Sequence, residues 1–401
     1  VHTTHETAGT FYYAVTTVHG GVENRTSFSA ANSLASPVAE TVADPLPVLV
    51  WQSPSGRGRV YTQFLDLAGY NPTFGAAGEQ DYVYAYNYAL LQPDPANCPG
   101  ETLPASLPLY LYLQGWGGRY EVDDASPYWC AVALNGDDPW QTWYYGHSAS
   151  YDYRQEDAFA DSGPIVNFSE QRLLRAIYDT LRSPAVAIDP QRVFVYGQSM
   201  GGSGALALGL RYPNVFAAAH AGEPMTNFRT AGDGGGVDWR GDVDWKWGST
   251  AANLPIQNRG RYAGHLAAYD GLGVWNWQNH QAQLSGRRAD DTAFISLDHG
   301  TLDTVLEWTT QGRPAYQPFY LSRRPFSGAT VDADHTWLGF AGLGPTMADV
   351  NWTGPFYGFQ AVRDETLPGL TYGSGSAAVP PSGPAEYNHT LEWSASWNAW
   401  D

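Results

Sequence analysis

A serine set between glycines is the residue in this sequence best suited to act as a nucleophile. Ser199 lies in the pentapeptide Gly197-Gln198-Ser199-Met200-Gly201, after the β-prone run 193–196 and before the small-residue run 202–207. Small flanking residues allow a sharp strand-to-helix turn, which lifts the serine hydroxyl above a sheet at the positive end of a helix. An ordinary glycine-rich turn is the alternative, but the strand before the motif and the helix after it favour a nucleophile.

Attack by such a serine on a carbonyl leaves an oxyanion, which two backbone N–H groups must hold. One is expected from the residue after the serine, Met200. The other is expected from a loop after an earlier strand. The apolar run 107–113, followed by glycines, predicts that loop with Trp116 as the donor, and a plain glycine turn is the alternative. Three further residues are expected to contact the substrate: Gln114, Gly115 and Gln198.

The acid and the base are expected to follow the serine in that order along the chain. Two aspartates, Asp298 and Asp303, come after the β-prone run 292–297. The acid of such a site is expected on the loop a few residues beyond the strand, which favours Asp303 and leaves a structural role for Asp298.

Four histidines could act as the base: His220, His280, His299 and His335. Chain order removes the first two. His299 is too close in sequence to the acid strand to reach over the serine independently. His335, which follows another β-like stretch, is therefore the predicted base, and a surface imidazole paired with Asp334 is the alternative.

The composition of the chain limits which classes of protein and partner are possible. The chain has 401 residues, of which 43% are hydrophobic and 15% charged, so a large buried core is expected. A net charge of -19 argues against nucleic acid or an anionic membrane surface as a partner. The sequence also has no run of about 18 apolar residues, the length that a membrane-spanning helix needs.

From about residue 48 onward, β-prone runs alternate with helical patterns, which is typical of a mostly parallel sheet flanked by helices. Leucines and an isoleucine at helical spacing predict a helix from Asn167 or Ser169 to about Arg182. A second helix is expected over 201–210, directly after the serine. The predicted strands are 107–113, 193–196, 216–222 and 292–297.

The first 40 residues are β-rich, with strand-like stretches at 11–18 and 26–34 and a turn at His19-Gly20-Gly21. They resemble the last two strands of a fibronectin type III module. An incomplete module implies that the chain is part of a longer, multidomain protein. We expect a linker at 41–47 and a catalytic domain over 48–401.

The two cysteines, Cys98 and Cys130, lie in loop-like sequence. A disulfide between them would close a loop and, in the chain-entropy model, raise the free energy of unfolding by roughly 3–4 kcal/mol. We predict the bridge, with two buried free thiols as the alternative.

The sequence resembles secreted α/β-hydrolases of the group that includes polyhydroxybutyrate depolymerases, feruloyl esterases and acetylxylan esterases. The matching segments are DPQRVFVYGQSMGGSGALALGLRYPNVFAAAHAGEP, HGTLDTVLEW and DHTW, within about residues 50–345. The family's catalytic serine, aspartate and histidine fall on Ser199, Asp303 and His335. One departure is that the family's strand-end histidine before glycine is Gln114 here.

The resemblance implies the α/β-hydrolase fold and an extracellular serine esterase. It implies an acyl-enzyme mechanism that needs no metal or cofactor, on esters of plant polysaccharides or on polyesters. A serine peptidase of the same fold and an inactive carbohydrate-binding relative are the alternatives.

An insertion at about 227–291 is rich in tryptophan: Trp239, Trp245, Trp247, Trp275 and Trp277. Flat rings stack on sugars and aryl groups, so an aromatic wall that includes Trp275 and Trp277 is one interpretation. Tryptophans that pack on one another inside a cap are the other.

Overall fold

The structure, a computed structural model, describes most of the chain up to the predicted base. The described residues are 8–41, 45–66, 83–122, 130–148, 150–151, 160–183, 185–287, 290–322, 324, 326–336, 363, 382–387, 393–394 and 399–400. Part of the predicted catalytic domain, 337–362 above all, therefore lies outside the described residues. Within the described ranges, no helix combines the length and apolar character that crossing a bilayer requires.

The strands, in chain order, are β1 (Gly9–Phe11), β2 (Val18–His19), β3 (Val22–Glu23), β4 (Val38–Glu40), β5 (Val48–Gln52), β6 (Gly58–Asp66), β7 (Val83–Leu91), β8 (Leu107–Leu113), β9 (Val132–Gly136), β10 (His147–Ser148), β11 (Ile165–Val166), β12 (Ile188–Gln198), β13 (Ala218–Gly222), β14 (Ile256–Gln257), β15 (Phe294–Gly300), β16 (Phe326–Val331), β17 (Ala385–Tyr387), β18 (Trp393–Ser394) and β19 (Ala399–Trp400).

A central sheet organises the molecule. Its strand order is β17-β16-β15-β13-β12-β8-β9-β7-β6-β5. Neighbours from β16 to β9 pair in parallel, whereas β17 at one edge and β7, β6 and β5 at the other are antiparallel. The expected mostly parallel sheet, in the α/β-hydrolase fold, is confirmed. Because parallel strands end at one edge, loops that follow β8, β12, β13, β15 and β16 meet there.

The middle strands are buried because their sequences are apolar on both faces. Six of the seven residues of β8 are buried, and Val193 to Gly197 of β12 are buried as well. The helices that cover the sheet and its insertion are Phe168–Leu181, Met200–Arg211, Arg240–Trp247, Val274–Trp277, His280–Gly286 and Arg313–Ser322. Shorter turns of other helical types are Pro95–Asn97, Pro99–Glu101, Phe228–Thr230, Gly264–Tyr269 and Trp308–Gly312.

A buried ion pair joins the two long helices beside the sheet. Glu170 of helix Phe168–Leu181 accepts a hydrogen bond from Arg211, the last residue of helix Met200–Arg211. Tyr212 donates to the second oxygen of the same carboxylate at 2.6 Å, and Arg211 also donates to Gln278 of the insertion at 2.8 Å. Burial raises the pKa of Glu170, and the guanidinium opposes that shift. The pair therefore fixes the far end of the helix that begins at the predicted nucleophile.

The N-terminal segment has shorter strands than the sequence predicts, and at other positions. β1 pairs with β4, and β2 forms a hairpin with β3. The predicted strand at 26–34 is wrong, since only Ser33 makes a bridge there, to Ala14. The side chain of Asn32 donates to the backbone oxygens of Val15 and Ser27, and such side-chain bonds compete with a regular ladder. The fibronectin-like module and the linker at 41–47 stay predictions.

Cys98 and Cys130 form a disulfide, with their Cα atoms 4.8 Å apart. The disulfide connects the segment before β8 to the segment just before β9, and both half-cystines are buried. The bridge thus holds the approach to β8, the strand whose carboxyl end leads into the loop predicted to hold the oxyanion.

Replacing both cysteines by alanine should lower the free energy of unfolding by about 3–4 kcal/mol, because the unfolded chain regains the freedom of the closed loop. Urea unfolding of the variant and of the native protein measures the difference. Dithiothreitol should destabilise the native protein similarly and leave the variant unchanged. Equal unfolding midpoints for the two proteins in the absence of reductant would contradict the prediction.

Candidate active site

The backbone at Ser199 makes the sharp turn that the glycine motif predicts. β12 ends at Gln198 and the next helix starts at Met200, so Ser199 alone forms the corner. Its φ of 60° and ψ of -120° are unfavourable for a residue with a side chain. The corner is held by its own N–H, which donates to the Gly222 oxygen at 2.9 Å. The turn presents the hydroxyl at the carboxyl edge of the sheet.

Glycine at 201 allows the end of β8 to lie directly against this turn. A Cβ at Gly201 would lie 2.2 Å from the carbonyl oxygen of Leu113 and 3.0 Å from that of Gln114. The Gln114 oxygen also accepts a hydrogen bond from the Tyr144 hydroxyl at 2.8 Å, which fixes the strand end. The loop that contains Trp116 therefore starts beside the serine.

The structure brings together the three residues that the sequence predicts as nucleophile, acid and base. Nε2 of His335 lies 2.9 Å from Oγ of Ser199, and its Nδ1 lies 2.8 Å from Oδ2 of Asp303. An ionised carboxylate only accepts hydrogen bonds, so Nδ1 carries the imidazole proton and Nε2 is free to accept from the serine hydroxyl. This arrangement can remove a proton from the serine as it attacks an electrophile.

Two loops hold the acid and the base. The other oxygen of Asp303 accepts the backbone N–H groups of Val305 and Leu306 at 2.8 and 2.9 Å, which fixes its carboxylate. His335 follows β16, and its own backbone N–H donates to the side chain of Asp334 at 2.7 Å. In this structure Asp334 therefore holds the backbone of His335, while Asp303 is the partner of the ring.

The other three candidate histidines, His220, His280 and His299, are buried. Nδ1 of His299 lies 3.1 Å from the Tyr316 hydroxyl, and burial lowers the pKa of His299 to about 4. Burial also holds the pKa of His280 well below its usual value. Asp298 lies 3.5 Å from the ring of His220, and its Oδ1 accepts the backbone N–H of Glu223 at 3.3 Å.

Sequence reasoning missed a second acid at this site. Oε2 of Glu223 lies 3.2 Å from Nδ1 of His335, and it accepts from the amide of Gln198 at 2.6 Å and from the N–H of Thr336 at 3.1 Å. Burial, followed by the neighbouring charges of Asp303 and Asp298, raises the pKa of Glu223 to about 9. The one signal for Glu223 in the sequence was its place directly after the predicted strand 216–222. In the structure this strand, β13, pairs with β12, which ends directly before the nucleophile.

Within the described residues, Glu223, Asp303 and His335 are also the one group whose donor atoms lie close enough together, within 4.8 Å, to hold a metal ion. Hydrogen bonding to Nδ1 of the imidazole accounts for this closeness. The chemistry that the geometry itself displays is proton handling between a carboxylate, an imidazole and a hydroxyl.

A family comparison identifies the chain. Residues 125–337, more than half of the chain, match the family model Esterase, described as "Putative esterase". The protein belongs to this esterase family. It is a carboxylic-ester hydrolase.

Solved structures resemble the esterase only distantly. An acetyl xylan esterase from Paenibacillus sp. R4 is 16% identical, with 74% of this chain and 85% of that chain covered and a TM-score of 0.46. An S-formylglutathione hydrolase from Agrobacterium tumefaciens is 14% identical over 72% of this chain and 92% of that one, with a TM-score of 0.43. No curated protein matches the chain.

An acylaminoacyl peptidase from Pyrococcus horikoshii is 14% identical, with 63% of this chain covered and a TM-score of 0.40. The esterase spans only 36% of the length of that peptidase. Similarities at this level do not distinguish one substrate from another.

Trp116, predicted as an oxyanion donor, and the residues predicted to contact the substrate differ in exposure. Trp116 is 52% exposed at the rim of the site, whereas Gln114 is buried beneath the loop. The prediction that Trp275 and Trp277 face the substrate is wrong, because both are almost fully buried inside the insertion. Trp275 donates to the Gly248 oxygen at 3.0 Å, as expected of a tryptophan that packs within a cap.

The amide of Gln198 also has structural partners. It donates to the backbone oxygen of Thr336 at 2.8 Å as well as to Glu223. Gln198 thus connects the turn at the serine to the segment that carries His335. This structural role differs from the predicted contact of Gln198 with the substrate.

Gly201→Ala should lower kcat/KM of the esterase by about tenfold or more, because the new methyl displaces the end of β8 from the turn. Overpacking of this kind costs roughly 1–3 kcal/mol of stability. Hydrolysis of p-nitrophenyl acetate and thermal unfolding measure the two effects. Gly241→Ala is the matched control, since a Cβ there meets nothing within 4 Å. Equal turnover in the two variants would show that the close approach is unimportant.

Proposed function

We propose that the esterase cleaves esters by acyl transfer to Ser199. His335 takes the hydroxyl proton at Nε2 as Oγ attacks the ester carbonyl, while Asp303 orients the ring and stabilises the imidazolium. The proton then passes to the leaving alcohol, and a water attacks the acyl-enzyme with His335 again as the base. The hydrogen bonds of 2.9 and 2.8 Å along this chain of three residues are the observation that carries the proposal.

The oxyanion is held by the backbone N–H groups of Met200 and Trp116. Met200 is the first residue of its helix, so its N–H has no acceptor within the helix and points toward developing charge. The contact of Gly201 with the end of β8 supports Trp116 as the second donor, because it keeps that loop beside the serine.

The substrate is an ester with a ring near the cleaved bond, as in acetylated or feruloylated plant polysaccharides or an aromatic polyester. An apolar rim at the site supports this. The ring of Trp116 lies 5.8 Å from that of Trp239, and Trp239 donates to Val305 on the loop of Asp303 at 2.9 Å. Leu302 on the same loop is 60% exposed. Exposed flat and apolar surface of this kind favours stacking on rings.

The enzyme acts outside the cell. The disulfide between Cys98 and Cys130 supports this, because such bonds persist in oxidising compartments.

Ser199→Ala should lower kcat for p-nitrophenyl acetate by roughly 10⁴–10⁶-fold, since the variant cannot form the acyl-enzyme. Ser203→Ala, a serine on the same helix, is the control for loss of a buried hydroxyl. Stopped assays with enzyme-free blanks measure both. Turnover by Ser199→Ala close to the native rate would refute the mechanism.

Trp116→Ala should raise KM for methyl ferulate by about two- to tenfold, as expected for a lost ring contact, and change kcat little, because the backbone N–H remains. Trp51→Ala, on the outermost strand β5 of the sheet and 43% exposed, should change neither constant. Acetylated xylan, feruloylated arabinoxylan, polyester film and a peptide panel then rank the substrates. Cleavage of peptides alone would replace the ester-polymer proposal with a peptidase.

A further inference from the structure

We propose that Glu223 is a positioning residue for His335. The Glu223 carboxyl shares the Nδ1 proton of His335 with Asp303, and it can replace Asp303 as the acid. This inference rests on the proposed acyl-transfer function and goes one step further, because it gives the site a second carboxyl. Two carboxyl oxygens lie near one ring nitrogen, Oδ2 of Asp303 at 2.8 Å and Oε2 of Glu223 at 3.2 Å.

The contacts of Glu223 connect the parts of the site that must stay aligned. Its Oε2 accepts from Gln198, the residue before the nucleophile, and from the N–H of Thr336, the residue after the base. Its backbone N–H donates to the carbonyl oxygen of Asp298 on β15 at 2.9 Å. One carboxyl thus links the turn at Ser199 to the segment that carries His335.

The backbone at Glu223 supports a role beyond packing. Its φ of 42° is in the left-handed region, which costs a residue with a side chain of order 1–2 kcal/mol relative to glycine. The preceding residue, Gly222, and the following one, Pro224, would suit an ordinary turn. Strained positions that carry a polar side chain into a reactive site are typical of functional residues.

The environment of Glu223 explains how two carboxyls coexist at one imidazole. The side chain is fully buried, and its Oε1 has no hydrogen-bond partner among the described residues. Two acids so close do not both ionise readily, so at neutral pH one is charged and the other neutral. Asp303 accepts two backbone N–H groups, which stabilise its charged form, and Glu223 is therefore the neutral partner.

The titratable groups that face Glu223 come from several elements. They are Asp303 on the loop after β15, Asp298 on β15 and the ring of His335 after β16. His220 on β13 and His299 on β15 lie near Asp298. Asp303 is the larger of the two neighbouring charges that raise the pKa of Glu223, so removal of that charge should let Glu223 lose its proton at a lower pH than about 9. Its carboxylate is then placed to hold the imidazolium in place of Asp303.

The test compares Asp303→Asn with Asp303→Asn/Glu223→Gln, both of which keep the size of each side chain. The residual kcat of Asp303→Asn should rise with pH as Glu223 ionises, by about tenfold or more between pH 6 and pH 9. The double variant should lack this part of the rise, because residue 223 then has no carboxyl to ionise. The measurement is kcat for p-nitrophenyl acetate at saturating substrate, with enzyme-free blanks that correct for alkaline hydrolysis. The difference between the two variants is then the effect of Glu223 ionisation.

A further readout is Glu223→Ala, which should lower kcat about tenfold and leave KM unchanged, since Glu223 holds the base and does not touch substrate. Thermal unfolding of each variant checks that it is folded. Identical pH profiles for the Asp303→Asn single and double variants, or an effect of Glu223→Ala on KM alone, would overturn the inference. Either of these results would leave the acyl-transfer mechanism intact, because the loss of turnover in Ser199→Ala tests that mechanism separately.

Discussion

The turn at Ser199 is the constraint on which the rest of the site depends. A backbone with φ of 60° at a residue with a side chain persists only where its surroundings hold it. The surroundings here are the carbonyl of Gly222 on one side and the end of β8 on the other, which Gly201 allows to approach. Both neighbours are strand ends of the same parallel sheet, so the geometry of the sheet sets the geometry of the nucleophile.

The same edge of the sheet supplies the other groups. Asp303 follows β15 and His335 follows β16, and the two loops are tied by the hydroxyl of Thr301, which donates to Asp332 at 2.6 Å. Asp303 is almost fully buried, which excludes the water that would otherwise compete for the imidazole. The cost of burying a charged carboxylate is offset by its two backbone N–H partners and by His335. A second carboxyl, Glu223, shares this environment in its neutral form.

Much of this arrangement could be predicted from the sequence because its signals are local. The run Leu107–Leu113 forms a strand with the predicted bounds, and the helix predicted to begin at Asn167 or Ser169 spans Phe168–Leu181. Chain order, together with the position of each candidate relative to its strand, singled out Asp303 and His335, which the structure brings together with Ser199.

The rest depends on contacts between distant residues, which periodicity does not encode. Trp275 and Trp277 have the composition of a binding wall, yet their burial is set by how the insertion packs on itself. Glu223 was missed because the expected order of serine, acid and histidine already had an acid after β15. Only the pairing of β13 with β12 and β15 shows that the residue after β13 reaches His335.

In the proposed mechanism, Ser199 carries the acyl group between the two half-reactions. Acid quenching of the enzyme during turnover of p-nitrophenyl acetate, followed by mass spectrometry of its peptides, tests this directly. A single added acetyl group is expected on the peptide that contains Ser199, and none in Ser199→Ala. An acetyl group on a different residue, or rapid turnover with no acylated peptide at all, would contradict the mechanism.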